Sequence, residues 1–342
     1  MTIKDILGEP ISREQALTRI KKDASVYEKF LDLSEKARED ILGFIQGIKG
    51  LPILYDGFYK HVFDPEVHPE RLEDFLSQLF GEPVVIEQVL AKEGNKLVEE
   101  GSLVVMDIIV RLSDGSIIDV EMQKHGYLFT GERSSCYVSD MIMRQYNRVR
   151  KKKKKDFKFN HMKPVHLVVL LEKSTKEFKA VAPAYIHRLE NQFDSGVDVN
   201  ILSNLTYISL DTFSNVRENI NNKMDAWLTF LSSDKPEDII SLVEKYPEFK
   251  ECYQDITAFR KKPKELIDMF SEALLEMDKN TAKYMIEEQQ RELEEQKLEL
   301  EENKKILEEN KKELEKKDKQ IEDMAAQIKE LKAILTSNNA NK

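Results

Sequence analysis

The chain has few cysteines and no long apolar run. These absences argue against a disulfide-stabilised protein, a cysteine-based metal site and a membrane-spanning protein. Its two cysteines, Cys136 and Cys252, lie too far apart for a disulfide framework or a Cys-x-x-Cys metal site. The strongest apolar stretch, residues 165–171, is far shorter than the roughly 20 residues that a membrane-spanning helix needs. The first 50 residues contain no apolar segment like that of a signal peptide. We therefore expect a cytoplasmic protein that makes no membrane contact.

Positive charge is also in deficit over the whole chain. The net charge of −10 excludes a uniformly basic surface. Charged residues still make up 34% of the sequence, above the share of about 25% that globular chains carry, so part of the chain is expected to be elongated and solvated. Local patches, not the net charge, then determine which ligands are bound.

The C-terminal part lacks both residues that interrupt helices, because the last glycine is Gly196 and the last proline is Pro263. Within it, Ile or Leu recurs at every seventh position: Ile286, Leu293, Leu300, Leu307, Leu314, Ile321, Ile328 and Leu335. Such a repeat keeps one seam facing a partner only if the helices supercoil, which predicts a coiled coil and a homodimer. The second core position is polar in five of its seven occurrences: Gln289, Gln296, Asn303, Asn310, Lys317, Met324 and Leu331. The alternative is a single solvated helix stabilised by Glu–Lys pairs.

Runs of β-branched residues are concentrated in the middle of the chain. They predict strands at residues 84–89, 103–112, 117–122, 165–171 and 205–210. Helical patterns at 65–80 and 131–150 flank or separate these runs, so the fold class is α/β (α+β) with a helix-flanked sheet. We divide the chain into an N-terminal helical segment (1–50), the strand-rich core (51–212), a helical module (213–284), the coiled coil (285–336) and a disordered tail (337–342).

Acidic residues interrupt two of the predicted strands. Asp107 lies within an apolar run, where a carboxylate is costly unless it is paired or binds a cation. The turn sequence at residues 113–116 predicts a hairpin, and alternation then puts Asp119, Glu121 and Gln123 on one face of the second strand. Asp107 can lie beside Glu121, and two convergent carboxylates suit a hard cation such as Mg²⁺. Asp119 is expected to be a surface charge of the hairpin or a group behind the ligands.

These residues resemble the core of the PD-(D/E)XK nucleases, in the E-x-Q variant of Rpn-type recombination-promoting nucleases and transposases. Asp107, the hairpin and Glu121-Met122-Gln123 carry the resemblance. Residues 56–63 are similar to that group's D-x-x-F-K-x-x-F opening, and Arg133 with Tyr137 to its R-x-x-x-Y helix. The resemblance covers residues 51–171.

The resemblance implies a restriction-endonuclease-like mixed sheet and hydrolysis of DNA phosphodiesters with Mg²⁺ or Mn²⁺. Asp107, Glu121 and the Met122 carbonyl would hold the metal, and Gln123 would orient water or phosphate. The chain departs from restriction-enzyme relatives by carrying Gln123 where they have lysine, and Lys124 should point to the opposite face. Glu70, Glu73 and Asp74 on the preceding helix are further candidate ligands.

Basic residues are concentrated directly after these strands. Arg133, Tyr137, Arg144 and Arg148 recur at helical spacing on one face and are predicted to line a DNA phosphate path. Residues 148–155 contain seven basic residues in eight positions, including Lys151, Lys152, Lys153, Lys154 and Lys155. Such a block binds phosphates without reading sequence; the alternative is a solvated loop in an acidic protein.

The sequence thus predicts a DNA endonuclease. One alternative is a catalytically inactive nucleic-acid-binding oligomeric scaffold, for which the basic block and the coiled coil would suffice. Another is an oligomeric adaptor whose coiled tail is the functional part, which leaves the acidic residues of the strands unexplained.

Overall fold

A computed structural model describes residues 1–51, 53, 56–91, 106–189, 193–197 and 199–275, and isolated helical positions between 297 and 317. Residues 1–279 form one compact unit and residues 280–342 a second. None of the described helices is long and apolar enough to cross a membrane.

A mixed sheet forms the centre of the unit formed by residues 1–279. Its described strands are β1 (Ile86–Val89), β2 (Ile108–Leu112), β3 (Ile117–His125), β4 (Val165–Lys173), β5 (Ile186–Arg188) and β6 (Ser203–Ser209). They lie in the order β1-β2-β3-β4-β6-β5. The β1–β2, β2–β3 and β5–β6 pairs are antiparallel, whereas β3–β4 and β4–β6 are parallel. The predicted hairpin is confirmed, and so are all five predicted strands in position, although residues 103–105 of the second lie outside the described part.

The two faces of the sheet bury different side chains, as alternation along a strand requires. Ile118, Val120 and Met122 of β3 face a large core that includes the N- and C-terminal helices. Leu167 and Val169 of β4 face a smaller core under one long helix. Asp119 and Glu121 alternate with the first set and therefore point towards that long helix.

In the described part of the chain, the helices that precede the strands are α1 (Lys4–Leu7), α2 (Arg13–Lys21), α3 (Ala24–Asp32), α4 (Glu35–Gln46), α5 (Asp56–Val62) and α6 (Pro69–Phe80). Ser12 caps α2 in a capping box with Gln15. The predicted helix 65–80 begins at Pro69, a residue whose fixed φ suits the first turn.

The long helix α7 (Gly131–Lys153) covers the second face of the sheet. The helix begins at a Thr130 cap, whose side chain accepts a hydrogen bond from the Arg133 N–H. The later helices are α8 (Lys176–Ala180), α9 (Leu210–Val216), α10 (Lys223–Ser232), α11 (Pro236–Lys245), α12 (Phe249–Thr257) and α13 (Pro263–Leu275).

The N-terminal segment, the strand-rich core and the helical module share one hydrophobic core. Phe44, Phe75, Val168, Phe249 and Phe270 are all buried in it. The boundaries drawn near residues 50 and 212 therefore separate stretches of different composition that pack into a single unit.

The predicted coiled coil lies mostly outside the described residues. Leu300 and Leu307 are described, and both are helical, with 56% and 71% of their surface exposed. The remaining heptad positions, and hence the pairing of the helix with a second chain, stay a prediction.

Candidate active site

Asp107 and Glu121 lie side by side at one end of the β2–β3 hairpin. Asp107 immediately precedes β2, and extending the strand register places it opposite Glu121. The Asp107 N–H donates to Glu121 Oε1 at 2.8 Å, and the Met122 N–H donates to Asp107 Oδ2 at 3.1 Å. Backbone hydrogen bonds therefore hold both carboxylates in place, and the expected proximity of the two residues is observed.

Glu121 is 1% exposed, and its surroundings disfavour its charge. Burial raises the pKa of the Glu121 carboxyl well above its usual range, and the negative charges of Asp107 and Asp119 raise it further. The Arg133 guanidinium opposes this shift. A site that concentrates negative charge in this way gains from a bound cation.

Asp119 is completely buried, so it is not a surface charge of the hairpin. Neither of its carboxylate oxygens has a hydrogen-bond partner among the described residues. Burial, followed by the nearby Asp107, raises the pKa of Asp119 well above its usual range. Asp119 thus adds a third acidic group to the pair, directly behind Glu121 on the same face of β3.

Lys60 brings a positive charge to the site from a distant part of the sequence. Its Nζ lies 3.1 Å from Asp107 Oδ1, and both side chains are mostly shielded from solvent. Helix α5 is anchored beneath the hairpin by Tyr59, which is buried and donates its hydroxyl hydrogen bond to the Val120 carbonyl at 2.9 Å. The sequence analysis did not select Lys60, although it lies in the D-x-x-F-K-x-x-F segment noted there.

Gln123 is the last residue of the Glu121-Met122-Gln123 segment. Its Nε2 lies 3.4 Å from Glu121 Oε2, which confirms that both side chains share one face of β3. Lys124 is exposed, next along the strand, and alternation turns it to the other face. The cation that reaches the carboxylates is therefore Lys60 rather than Lys124.

Arg133 and Tyr137 of α7 lie over the carboxylates. The Arg133 guanidinium donates to the Tyr137 hydroxyl at 2.9 Å and to the Leu128 carbonyl at 3.2 Å. Its Cζ lies 4.9 Å from the centre of the Phe129 ring. Burial and the charge of Glu121 raise the pKa of the Tyr137 hydroxyl. Arg133 is half-buried and fixed by these contacts beside the site.

The DNA phosphate path predicted along α7 stays a prediction, and its residues differ in how accessible they are. Tyr137 is 3% exposed, and Arg144 Nε donates to Asp140 Oδ2 at 2.5 Å. Arg148 is partly buried and reaches the Gly115 carbonyl at 3.3 Å. These residues do share one helical face, but that face packs on the sheet because Asp119 and Glu121 lie beneath it. Tyr137 and Arg144 therefore face the sheet rather than solvent.

The lysine block remains available to ligands. Lys151, Lys152, Lys153, Lys154 and Lys155 are all exposed at the end of α7 and in the turn that follows. Their surface location is compatible with both interpretations of the block, a phosphate-binding segment and a solvated loop.

The acidic residues of α6 lie elsewhere. Glu73 accepts a hydrogen bond from the Ile86 N–H at 2.7 Å, and Asp74 accepts one from Trp227 Nε1 at 2.7 Å. Glu70 contacts His68. Because α6 packs on the face of the sheet opposite Glu121, none of the three is brought to the carboxylate pair.

The donor set suits a hard divalent cation. Within the described part of the chain, no three His, Cys, Asp or Glu side chains are arranged to hold a metal ion by themselves. Mg²⁺, however, commonly binds through one or two carboxylates and completes its shell with other oxygens. Asp107, Glu121 and the Met122 carbonyl could provide three such oxygens, and Asp119 is a further buried acidic group behind them.

Comparison with known proteins agrees with this geometry. Residues 54–285, more than half of the chain, match the family described as PD-(D/E)XK nuclease family transposase. No curated protein and no solved structure matches the chain significantly. The family match spans Lys60, the carboxylate pair and α7, and the mixed sheet with flanking helices has the restriction-endonuclease-like arrangement. The chain belongs to the PD-(D/E)XK nuclease family transposases.

Proposed function

We propose that this protein is a metal-dependent DNA endonuclease that hydrolyses phosphodiester bonds at Asp107 and Glu121. The observation that carries the proposal is the backbone-locked contact between the two residues, with Lys60 Nζ 3.1 Å from Asp107 Oδ1. Together with membership of a nuclease family, this arrangement supports hydrolysis better than a purely structural role, because a buried carboxylate cluster is costly.

Mg²⁺ or Mn²⁺ would be held by Asp107, Glu121 and the Met122 carbonyl. When bound, the cation supplies charge screening on the phosphate and activation of water. Both carboxyl groups must be ionised for this role. The raised pKa of Glu121 therefore links cation affinity to pH, and affinity should fall as the pH is lowered.

The protein's own groups would stabilise the charge that develops on the phosphate. Lys60 is the ammonium nearest to Asp107 among the described residues, and hydrogen bonds to Leu128 and Tyr137 hold the Arg133 guanidinium in place. Fixed cations of this kind lower the barrier because they need no reorganisation during the reaction. Gln123 has an amide near Glu121 with which it could orient water or a phosphate oxygen.

The exposed lysine block would bind the DNA backbone outside the site. Five consecutive lysines can neutralise several phosphates and give affinity that does not depend on sequence. We further propose that the heptad repeat pairs two chains, so that two sites act on the two strands. The exposed Leu300 and Leu307 support this, since pairing would bury them.

Plasmid cleavage by near-isosteric variants tests the assignment. Asp107→Asn and Glu121→Gln retain acceptors for the backbone hydrogen bonds but lose the charge. We expect each to reduce Mg²⁺-dependent nicking of supercoiled plasmid by at least about a hundredfold. EDTA should abolish cleavage by the unchanged protein.

Two further measurements separate the site from the fold. Asp32→Asn, which alters an exposed carboxylate on α3, is the matched control and should cleave normally. Calorimetric titration with Mn²⁺ should show binding to the parent chain and none to Asp107→Asn. Full cleavage by either site variant, or the absence of cleavage and Mn²⁺ binding in the parent chain, would refute the proposal and favour the inactive scaffold.

A further inference from the structure

The chain folds back sharply at the end of α7. Lys154, the residue that follows α7, has a positive φ of 51°, a conformation that residues other than glycine rarely adopt. Two short 3₁₀ turns follow, Lys154–Asp156 and Phe159–His161. The reversal returns Phe157 and Phe159 to Tyr146 on the helix, so three aromatic rings separated in sequence meet.

The three rings form an ordered cluster. The Tyr146 and Phe159 rings are nearly parallel, with an interplanar angle of 16° and centroids 6.3 Å apart. Phe157 meets Tyr146 edge-on at 5.4 Å and Phe159 at 5.3 Å. The Lys158 N–H donates to His161 Nδ1 at 3.1 Å, which stabilises the second turn. The orientation of Phe159 is thus set by neighbouring rings and by its turn.

Phe159 is nevertheless 77% exposed, the largest exposed fraction among the large apolar side chains of the described residues. Beside it lies a groove of about 610 Å³, lined by Tyr146, Phe159 and mainly apolar side chains. Asn160 and Asn200 contribute amide groups to the lining. An apolar surface with a few amides offers both stacking and hydrogen bonds to a planar polar ligand.

The charge around the groove is strongly positive. Residues 141–171 contain ten Lys or Arg residues and a single acidic residue, Asp156. The Arg150 guanidinium lies over the Tyr146 ring, 5.5 Å from its centre. Exposed lysines 151–155 and Lys158 border the aromatic cluster in the chain. A ligand that is partly planar and anionic would complement both the rings and these charges.

The groove is separate from the carboxylate pair. Tyr146 follows Tyr137 by nine residues, which is about two and a half helical turns, so the two rings point to opposite sides of α7. Tyr137 faces Glu121 and the sheet. Tyr146 therefore faces away from the carboxylates, and no group of the proposed catalytic site contributes to the groove.

We propose that Tyr146 and Phe159 form a stacking site for unpaired bases of single-stranded DNA, whose phosphates the adjoining lysines bind. Aromatic rings beside a basic track are how proteins hold single strands without reading sequence. This goes beyond the proposed function, because it adds a nucleic-acid site in which no catalytic group takes part.

Single-stranded DNA fits the groove better than other occupants. In a duplex, the faces of the bases are covered by their neighbours, so duplex DNA could use the lysines but not the Phe159 ring. A second copy of the chain or an apolar peptide would cover the rings but leave the lysines uncompensated. Only an unpaired strand satisfies both the rings and the charges.

Binding to labelled oligonucleotides in EDTA tests this, because no cleavage can occur. Full-length protein is titrated into fluorescein-labelled oligo-dT of about 16 nucleotides, and into a duplex and an RNA of equal length. Phe159→Ala should bind the single strand roughly tenfold more weakly, the loss expected for one stacking partner, and the duplex within about twofold of the parent. Neutralising Lys152 and Lys153 should instead weaken both.

Two substitutions at the same position separate stacking from general apolar packing. Phe159→Leu keeps an apolar side chain without a planar face and should behave like the alanine variant. Phe159→Trp should retain affinity, and its fluorescence should be quenched by single-stranded DNA. The chain has one natural tryptophan, the buried Trp227, so the background signal is constant.

Several outcomes would overturn the proposal. They are unchanged single-strand affinity in Phe159→Ala, equal losses for single strand and duplex, no quenching in Phe159→Trp, and tighter binding of RNA than of DNA. A change of mass in light scattering with unchanged DNA affinity would assign the surface to contacts between chains. Because the assay contains EDTA, failure of nuclease activity would leave these binding results unaffected.

Discussion

Replacing Lys60 with methionine removes the positive charge beside Asp107. This charge should have two opposite effects, since it competes with a metal ion for Asp107 and stabilises negative charge on the phosphate. The Nζ–Oδ1 distance is 3.1 Å, and the side chains are 23% and 15% exposed. At an effective dielectric constant of about 20, a pair at this distance attracts by about 5 kcal/mol before desolvation. Net values for hydrogen bonds to charged groups are about 1.5–3 kcal/mol.

The ammonium competes with a divalent cation for Asp107, and its removal should release that net energy. We therefore expect Lys60→Met to bind Mn²⁺ about 10- to 100-fold more tightly, as measured by calorimetric titration. Cleavage should nevertheless slow by roughly a hundredfold or more, since a fixed positive charge near the phosphate is removed. Tighter cation binding with slower cleavage distinguishes this role from simple damage to the site.

Lys124→Met is the matched control, because it removes an exposed lysine from β3, the strand that carries Glu121. It should leave both Mn²⁺ affinity and cleavage near the parent values, and Lys60→Arg should restore part of the cleavage. If Lys60→Met cleaved normally while Lys124→Met were inactive, our assignment of the site cation would be wrong.

Four further perturbations test other parts of the structure. Replacing lysines 151–155 with glutamine should weaken duplex binding equally for all sequences in a filter-binding assay. The slope of log affinity against log salt concentration should fall by roughly 0.9 for each phosphate that the lysines no longer neutralise. A loss of affinity that depends on the DNA sequence would contradict this. Gln123→Lys should retain some plasmid cleavage, and complete loss would mean that the amide has a role that a cation cannot fill. Asp119→Asn should stabilise the protein in EDTA by on the order of 1 kcal/mol at neutral pH in urea denaturation. The pKa of Asp119 is raised in the folded protein, so the free energy of unfolding of the parent chain falls as the pH rises above the ordinary carboxyl pKa of about 4. The stabilisation by Asp119→Asn should therefore shrink as the pH is lowered towards about 4. A stabilisation that does not change with pH would contradict this. Truncation after Asp278 should convert a dimer into a monomer in light scattering and reduce double-strand breaks more than nicking, whereas a monomeric full-length chain would refute pairing through the heptads.

Much of the fold could be predicted from local pattern. Alternation in residues 117–122 and the Asp114–Gly115 turn were enough for the β2–β3 hairpin, because both signals are local and strong. Strand β5 was missed, since three residues carry no periodicity and Ile186–Arg188 is a strand only because β6 lies beside it. The division of the chain at residue 212 reflects composition, whereas burial of Phe249 with Val168 reflects packing.

The site was predictable to the extent that a strand register determines it. The proximity of Asp107 and Glu121 follows from the hairpin, and the common face of Glu121 and Gln123 from alternation. The sequence did not show which way the polar face of α7 points. Arg144 and Tyr137 face inward because acidic residues of the sheet lie beneath the helix, and those residues are distant in sequence. Helical spacing identifies a face but not the surface that it meets.

The sequence by itself determined the helix and strand patterns, the carboxylate pair, the basic block and the heptad repeat, since each depends on residues close together in the chain. Only the tertiary structure brought Lys60 to Asp107, buried Asp119 completely, and folded Phe159 back onto Tyr146. The physical reason is that these arrangements depend on how α5, α7 and the sheet pack. Packing is set by the whole core, and no local periodicity records which charged or aromatic side chains it will bring together.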